Sequence, residues 1–356
     1  MTHNELIEKT LKAITGLNEE AKAAAQERQA MLTKPAGSLG RLEELSVQLA
    51  GVYGEPRPKI SDKVIITMAG DHGVVKSGVS AYPQEVTPQM VFNFLTGGAA
   101  INALARHVGA RIVVVDMGVA FDFEPHPDLV VKKIAHGTQN MTEGPAMTLE
   151  QAQQAIAAGI EVVNAEIEKG LDIVGTGDMG IGNTTPSAAI AAVFTGESPA
   201  KIAGRGTGVD DEGLKRKIAA IEKAIEVNQP NPEFGLDVLA KVGGFEIAGL
   251  AGVILGAAAQ GKAVMVDGFI STAAAMIAVS LAPEVKSYLI SAHHSQEYGH
   301  GLMLEWLGLK PLVDLDFRLG EGTGAALGIS LAEAACKILD EMATFEEAGV
   351  SDKEEE

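Results

Sequence analysis

Cysteine is almost missing: Cys336 stands alone in 356 residues. A single thiol excludes an internal disulfide and a cysteine-built metal cluster. Its place in the apolar helical run "LGISLAEAACKIL" marks it as a small core residue. Aromatics are scarce, at 4% against 46% hydrophobic residues. Ala, Gly, Val and Ile must therefore fill the interior, which favours close helix–sheet layers over an aromatic-rich β-sandwich. No uninterrupted apolar run reaches the roughly 18 residues of a membrane span. Positive charge is also short: 28 Lys and Arg face 47 Asp and Glu, for a net charge of −19. That balance argues against nucleic acid and against an anionic membrane as partners, since both need basic surfaces. The N-terminal "MTHNELIEKTLKAITGLNEEAK" lacks the basic and apolar regions of a signal peptide. A soluble, cytoplasmic protein is expected, with one large domain and an appendage or with two domains. The acidic "SDKEEE" end is expected to be solvated and frayed.

What is present is a regular alternation. Residues from 1 to about 55 read as helical. Then come short β-branched runs, "KVIITMAGDHG" (63–73), "ARIVVVDMG" (110–118), "LDIVGTGDMG" (171–180), "AVMVDGF" (263–269) and "SYLISAHHS" (287–295), separated by helical stretches. Near-continuous apolar strands between helices predict a buried parallel sheet, an α/β fold flanked by helices. A catalytic domain over 60–328 is expected, with 1–59 and 329–356 joining as a small helical domain. Polar residues close these runs: Asp71 and His72, Asp116, Asp178, Asp267, then His293 and His294. In a parallel sheet they share one edge, where open α/β folds bind ligands.

Several motifs stand at that edge. "GTGDMG" (175–180) has the G-x-G-x-x-G spacing of a dinucleotide fold, but no second strand with a ribose-binding acid follows at the right distance. A glycine loop opening a helix can still hold a phosphate on backbone N–H groups. Capping alone would equally explain Asn183, Thr184 and Thr185. "GRGTGVDDEGLKRK" (204–217) is a second glycine loop, and it carries Lys201, Arg205, Lys215, Arg216 and Lys217 within or beside it. Among these residues a phosphate site competes with a solvated helix face. His72, His293, His294, His300, Asp71 and Glu297 are metal-ligating types, yet no HExxH or similar spacing appears. Hydrogen-bonding roles are expected for them, and no metal. Ser38 in "KPAGSLGRLE" reads as the N-cap of a helix starting at 38 or 39. "SAYPQEVTPQMVFNF" (80–94) offers apolar area for a flat ring, or ordinary core. Finally, "RLGEGTGAAL" sets Glu321 between glycines just before a helix. It is either an acid of the helix entrance or a carboxylate presented to a ligand.

"GDHGV", "GTGDMGIGNTT", "GRGTG", "KVGGFEIAGLAG", "VDGFISTAAA", "SAHHSQEYGH" and "LDFRLGEGTGAAL" occur in this order over residues 70–328. The ordered set resembles the nicotinate-nucleotide–dimethylbenzimidazole phosphoribosyltransferase family, and "KPAGSLGRLE" extends the resemblance over nearly the whole chain. The resemblance implies a Rossmann-like sheet with a small helical domain, a homodimer, and no metal or other cofactor. Its substrates would be nicotinate mononucleotide and a benzimidazole base. It implies Glu321 as catalytic base and Asp178 as a second acid, one methylene shorter than the family's glutamate. Gly177, Gly180, Asn183, Thr184, Gly206, Gly208 and Lys217 would bind the nucleotide. Ser80, Tyr82 and Gln89 fall in the benzimidazole segment, and Ser295 and Gly322 complete the expected set. A non-catalytic nucleotide sensor, or another phosphate-ligand α/β enzyme, would share the glycine loops without needing the acid at 321.

Overall fold

A computed structural model describes residues 1–206 and 208–351; Thr207 and 352–356, most of the acidic tail, lie outside the described residues. Six strands form the main sheet: β1 (Lys63–Gly70), β2 (Arg111–Gly118), β3 (Leu129–Val131), β4 (Ile173–Met179), β5 (Ala263–Val266) and β6 (Leu289–Ser291). Their order is β3-β2-β1-β4-β5-β6, and every neighbouring pair is parallel. This is the doubly wound, Rossmann-like arrangement, in which the direction of winding reverses between β1 and β4. Two short strands, β7 (His293–His294) and β8 (Val313–Asp314), pair separately beyond the sheet edge. The expected runs supply five of the six strands. The three-residue β3 is too short to stand out in "DLVVKKI".

Helices cover both faces. The apolar helix Phe245–Ala259 is buried along almost its whole length and lies against helix Leu149–Glu168. Small residues let the two backbones meet: a Cβ on Gly159 would stand 1.9 Å from the Gly249 carbonyl oxygen. That closeness suits a core filled by Ala, Gly, Val and Ile. No helix among the described residues is long and apolar enough to cross a membrane.

The N-terminal helices divide. Helix His3–Ala13 packs on Leu149–Glu168, whereas Glu19–Met31 and Arg41–Tyr53 pack with the long helix Thr323–Glu341. Arg28 ties this contact, donating to the carbonyls of Leu339 (2.6 Å), Asp340 (3.3 Å) and Met342 (3.1 Å). Thr323–Glu341 runs unbroken across residues 328 and 329, so the expected domain boundary falls inside one element. Ser38 is not a cap: the helix starts at Arg41, and Gly40 holds the cap position with φ 50°. Cys336 is buried in the core as expected, and burial pushes its thiol up to about 12.

Candidate active site

Glu321 ends the loop between β8 and helix Thr323–Glu341. Its φ is +63°, between Gly320 at +84° and Gly322 at +95°. A non-glycine residue in this left-handed region is strained and needs its surroundings to hold it. Three hydrogen bonds do so. The Glu321 N–H donates to the Asp178 carbonyl (3.2 Å), the Thr67 hydroxyl donates to the Glu321 carbonyl (3.0 Å), and the Gly322 N–H donates to Asp267 Oδ2 (3.2 Å). Asp267 Oδ1 takes the Ala325 N–H as well (2.9 Å). The acid at the entrance of helix Thr323–Glu341 is therefore Asp267, whose carboxyl burial pushes up to about 7 against those backbone donors. Glu321 is left for another task. Its Oε2 accepts from the Ile101 N–H (3.2 Å) in the first turn of helix Ala100–Val108. Burial raises its pKa above the ordinary 4.5, with the Ile101 bond opposing.

Glu321 lines a cavity of about 680 Å³ whose walls are mainly apolar. Tyr82, Val86 and Met90 come from the loop and start of helix Val86–Leu95, Ala100 and Leu104 from the next helix, and Met179 and Ile181 from the end of β4. Phe317, Arg318 and Leu319 close the remaining side. Of the three residues expected in this segment, Tyr82 lines the cavity. Ser80 and Gln89 are not among its walls; the Ser80 hydroxyl accepts from the Tyr82 N–H (3.2 Å), and Gln89 is exposed. Val86 and Met90, one helical turn apart, are the side chains that helix Val86–Leu95 turns to the cavity, while Thr87, Val91 and Phe94 are buried.

Arg318 and Leu319 also wall a smaller cavity of about 50 Å³ that is richer in polar side chains, with Asp178, Asn183, Thr184, His293, Ser295 and Glu297 among its walls beside Phe269 and Ile270. Asp178 sits near the end of β4. Its Oδ2 accepts from Asn183 Nδ2 (2.9 Å), while the buried Oδ1 has no partner among the described residues. Burial lifts its pKa well above 3.8; the charges of Asp267, Glu246 and Glu321 add to this and the Asn183 bond opposes it. Asn183 holds the cap position of helix Thr184–Thr195 but makes no side-chain cap bond; its Nδ2 donates to Asp178. Lys217 projects inward from helix Asp211–Asn228 and is buried, donating to Thr184 Oγ1 (2.7 Å) and the Gly204 carbonyl (3.0 Å). Burial pulls its pKa down to about 8, against the pull of Glu297. Gly206 (φ +54°) and Gly208 (φ +116°) turn the loop above it. Arg318 ties that loop to the other, donating to the Gly206 carbonyl (3.3 Å).

Other expectations are corrected. The basic cluster is not one patch: Lys201 pairs with Glu197 (2.7 Å), Arg205 with Asp211 (2.5 Å) and Lys215 with Glu212 (2.7 Å), and Arg216 donates to the Gly78 carbonyl (3.2 Å). Of these five, Lys217 is the one that bonds a wall residue of the polar cavity, Thr184. "GTGDMG" is not a turn before a helix, since Gly175, Gly177 and Asp178 lie within β4. Gly177 has a packing reason: a Cβ there would stand 2.4 Å from the Glu321 carbonyl oxygen and 2.8 Å from Thr67 Oγ1. A Cβ on Gly180 would stand 2.3 Å from the Gly70 carbonyl oxygen, and one on Gly322 2.7 Å from the Ile65 side chain. His72 forms a buried pair with Glu246 (2.7 Å), and Glu246's charge and hydrogen bond raise its pKa despite burial. Asp71 accepts from the Ala120 N–H (2.8 Å), and Asp116 from Gly118 (3.0 Å) and Val119 (2.9 Å). His300 bridges the Ser295 N–H (2.8 Å) and Thr272 (2.9 Å). These groups brace the edge from within. Arg318 and Met179 were missed as site residues, although both stand inside quoted motifs.

Fold and site define a class: a doubly wound α/β protein with adjoining apolar and polar cavities at its ligand-binding edge. The family model described as Phosphoribosyltransferase matches residues 14–350, and the chain belongs to the nicotinate-nucleotide–dimethylbenzimidazole phosphoribosyltransferase family. The enzyme of that name from Chloroflexus aurantiacus is 59% identical over 98% of this chain and 99% of its own length. That from Roseiflexus sp. is 61% identical, with the same coverage. A crystal structure of the corresponding Thermus thermophilus protein matches with a TM-score of 0.90 at 45% identity, covering 95% of this chain and 100% of that one.

Proposed function

We infer that this protein transfers phosphoribose from nicotinate mononucleotide to 5,6-dimethylbenzimidazole. The products are α-ribazole 5′-phosphate and nicotinate, in assembly of the nucleotide loop of cobalamin. The observation that carries this reading is the pair of cavities sharing Arg318 and Leu319, one presenting Glu321 to apolar walls and the other set beside Lys217. A flat benzimidazole suits the first. A nucleotide phosphate suits the second, whose wall carries Arg318 and whose Thr184 hydroxyl is held by the buried Lys217.

The chemistry follows from that placement. One ring nitrogen attacks C1′, the bond from C1′ to the nicotinate nitrogen breaks, and configuration inverts. Nicotinate leaves with the electron pair on its ring nitrogen, so it needs no protonation there. The attacking ring becomes cationic and its other N–H grows acidic. Glu321 takes that proton, as general-base help worth roughly 10²–10⁴-fold. Asp178 Oδ1, buried and unpartnered, offers a polar contact to the ribose between the two cavities. Holding both substrates in line supplies the remainder.

A nucleotide sensor would have no use for a strained acid on an apolar cavity, which disfavours that alternative. Incubating the purified protein with nicotinate mononucleotide and dimethylbenzimidazole, followed by chromatography, tests the reading; absence of ribazole phosphate would refute it. A homodimer and a cytoplasmic location belong to the same proposal. Light scattering should give twice the 37.0 kDa chain mass, and cell fractionation should place the activity in the cytoplasm.

A further inference from the structure

Thr67 lies in the middle of β1, fully buried, and lines neither cavity. The neighbours of a mid-strand threonine are usually apolar, and its hydroxyl then needs a partner. Here register provides one. Thr67 stands opposite Gly177 of β4. Because Gly177 has no side chain, the Glu321 carbonyl descends onto the strand, and the Thr67 hydroxyl reaches it at 3.0 Å. From the other side, Asp267 holds the next N–H, that of Gly322. The left-handed Glu321–Gly322 step is thus gripped at its carbonyl by Thr67 and at its following amide by Asp267.

We propose that Thr67 is a positioning residue for Glu321: its hydroxyl fixes the strained backbone that aims the carboxylate at the acceptor base. The proposal rests on Glu321 acting as the base. Without the Thr67 bond, the Glu321 carbonyl is a buried acceptor lacking this donor, and the peptide is free to rotate toward a less strained φ. The carboxylate then swings away from the ring nitrogen, and a misplacement of about 1 Å costs up to about 10²-fold in rate.

The test is a double-mutant cycle on the full chain, with Thr67→Val, Thr67→Ser, Glu321→Gln and the Thr67→Val/Glu321→Gln pair. Valine keeps the β-branched shape and the strand. Thr67→Val should lower kcat roughly tenfold or more, with KM for both substrates nearly unchanged, and Thr67→Ser should restore most of the loss. In the Glu321→Gln background, Thr67→Val should cost almost nothing further, since there is no longer a base to aim. Full turnover in Thr67→Val, or a loss that multiplies with that of Glu321→Gln, overturns the positioning role while leaving the base intact. Full turnover in Glu321→Gln alone overturns the base reading, and this proposal with it.

Discussion

At the scale of single residues, Glu321 should govern turnover. Glu321→Gln keeps the volume and can still accept the Ile101 N–H, but it cannot take a proton; kcat should fall by roughly 10²–10⁴-fold with KM little changed. The pH dependence has a definite sign. Burial raises the Glu321 pKa above 4.5, and a base works only when ionised. The kcat/KM of the wild type should therefore fall as pH drops through that raised value, and this limb should be lost in Glu321→Gln. Stability should move the other way. A carboxyl with a raised folded pKa contributes stability at low pH that is lost as pH rises through that pKa, so at pH 8 the Gln variant should melt no lower than the wild type. The sequence displayed this acid through its glycine frame. It could not show that Asp267 takes over the helix entrance, because that depends on β5 ending beside the entrance. Nor could it single out Thr67, whose partner exists only once Gly177 lies opposite it.

At the scale of elements, the helix Asp211–Asn228 buries one face, Gly213, Lys217, Ala220, Ile221, Ala224 and Asn228, while Lys215 and Arg216 lie off that face. That is why a basic run in the sequence contains one buried lysine and several surface pairs. Lys217→Ala should weaken nicotinate mononucleotide more than the aromatic base, as separate titrations would show. Since burial pulls Lys217 down to about 8, the KM for the mononucleotide should also rise between pH 7 and 9 as the charge is lost. Strand pairing sets a second constraint. Gly177→Ala would drive a methyl against the Glu321 carbonyl, so both kcat and thermal stability should fall, the latter by about 1–3 kcal/mol. The glycine spacing of "GTGDMG" was visible, but its cause was not. A local pattern cannot distinguish a phosphate turn from a strand on which a distant loop must settle.

At the scale of the whole molecule, the parallel sheet was legible because each long strand is an apolar run ended by a polar residue, and the winding reversal brings those ends together. The apolar cavity was half legible: its segment was found, but the helical phase that turns Val86 and Met90, rather than Gln89, to the cavity was not. Acceptor range follows from the cavity walls. An apolar pocket discriminates by only roughly 1–3 kcal/mol per methylene, so unsubstituted benzimidazole should be a working, less efficient acceptor. An N-methylbenzimidazole has no N–H to give and should be poor. Competition assays decide this; equal rates for the two would remove proton transfer to Glu321 from the limiting step.

The helix that begins just after Glu321 ends where Arg28 clasps its last carbonyls. Its 19 residues make a rod about 28 Å long. Pivoted at its middle, such a rod is a lever with arms of about 14 Å, and a tilt of about 4° moves each tip by about 1 Å. The acid tip and the clasped tip thus share one mechanical linkage. A tilt of that rod as a rigid body, driven by helix Glu19–Met31 at the clasped end, would have to work against the bonds from Thr67, Asp178 and Asp267 that fix the acid tip.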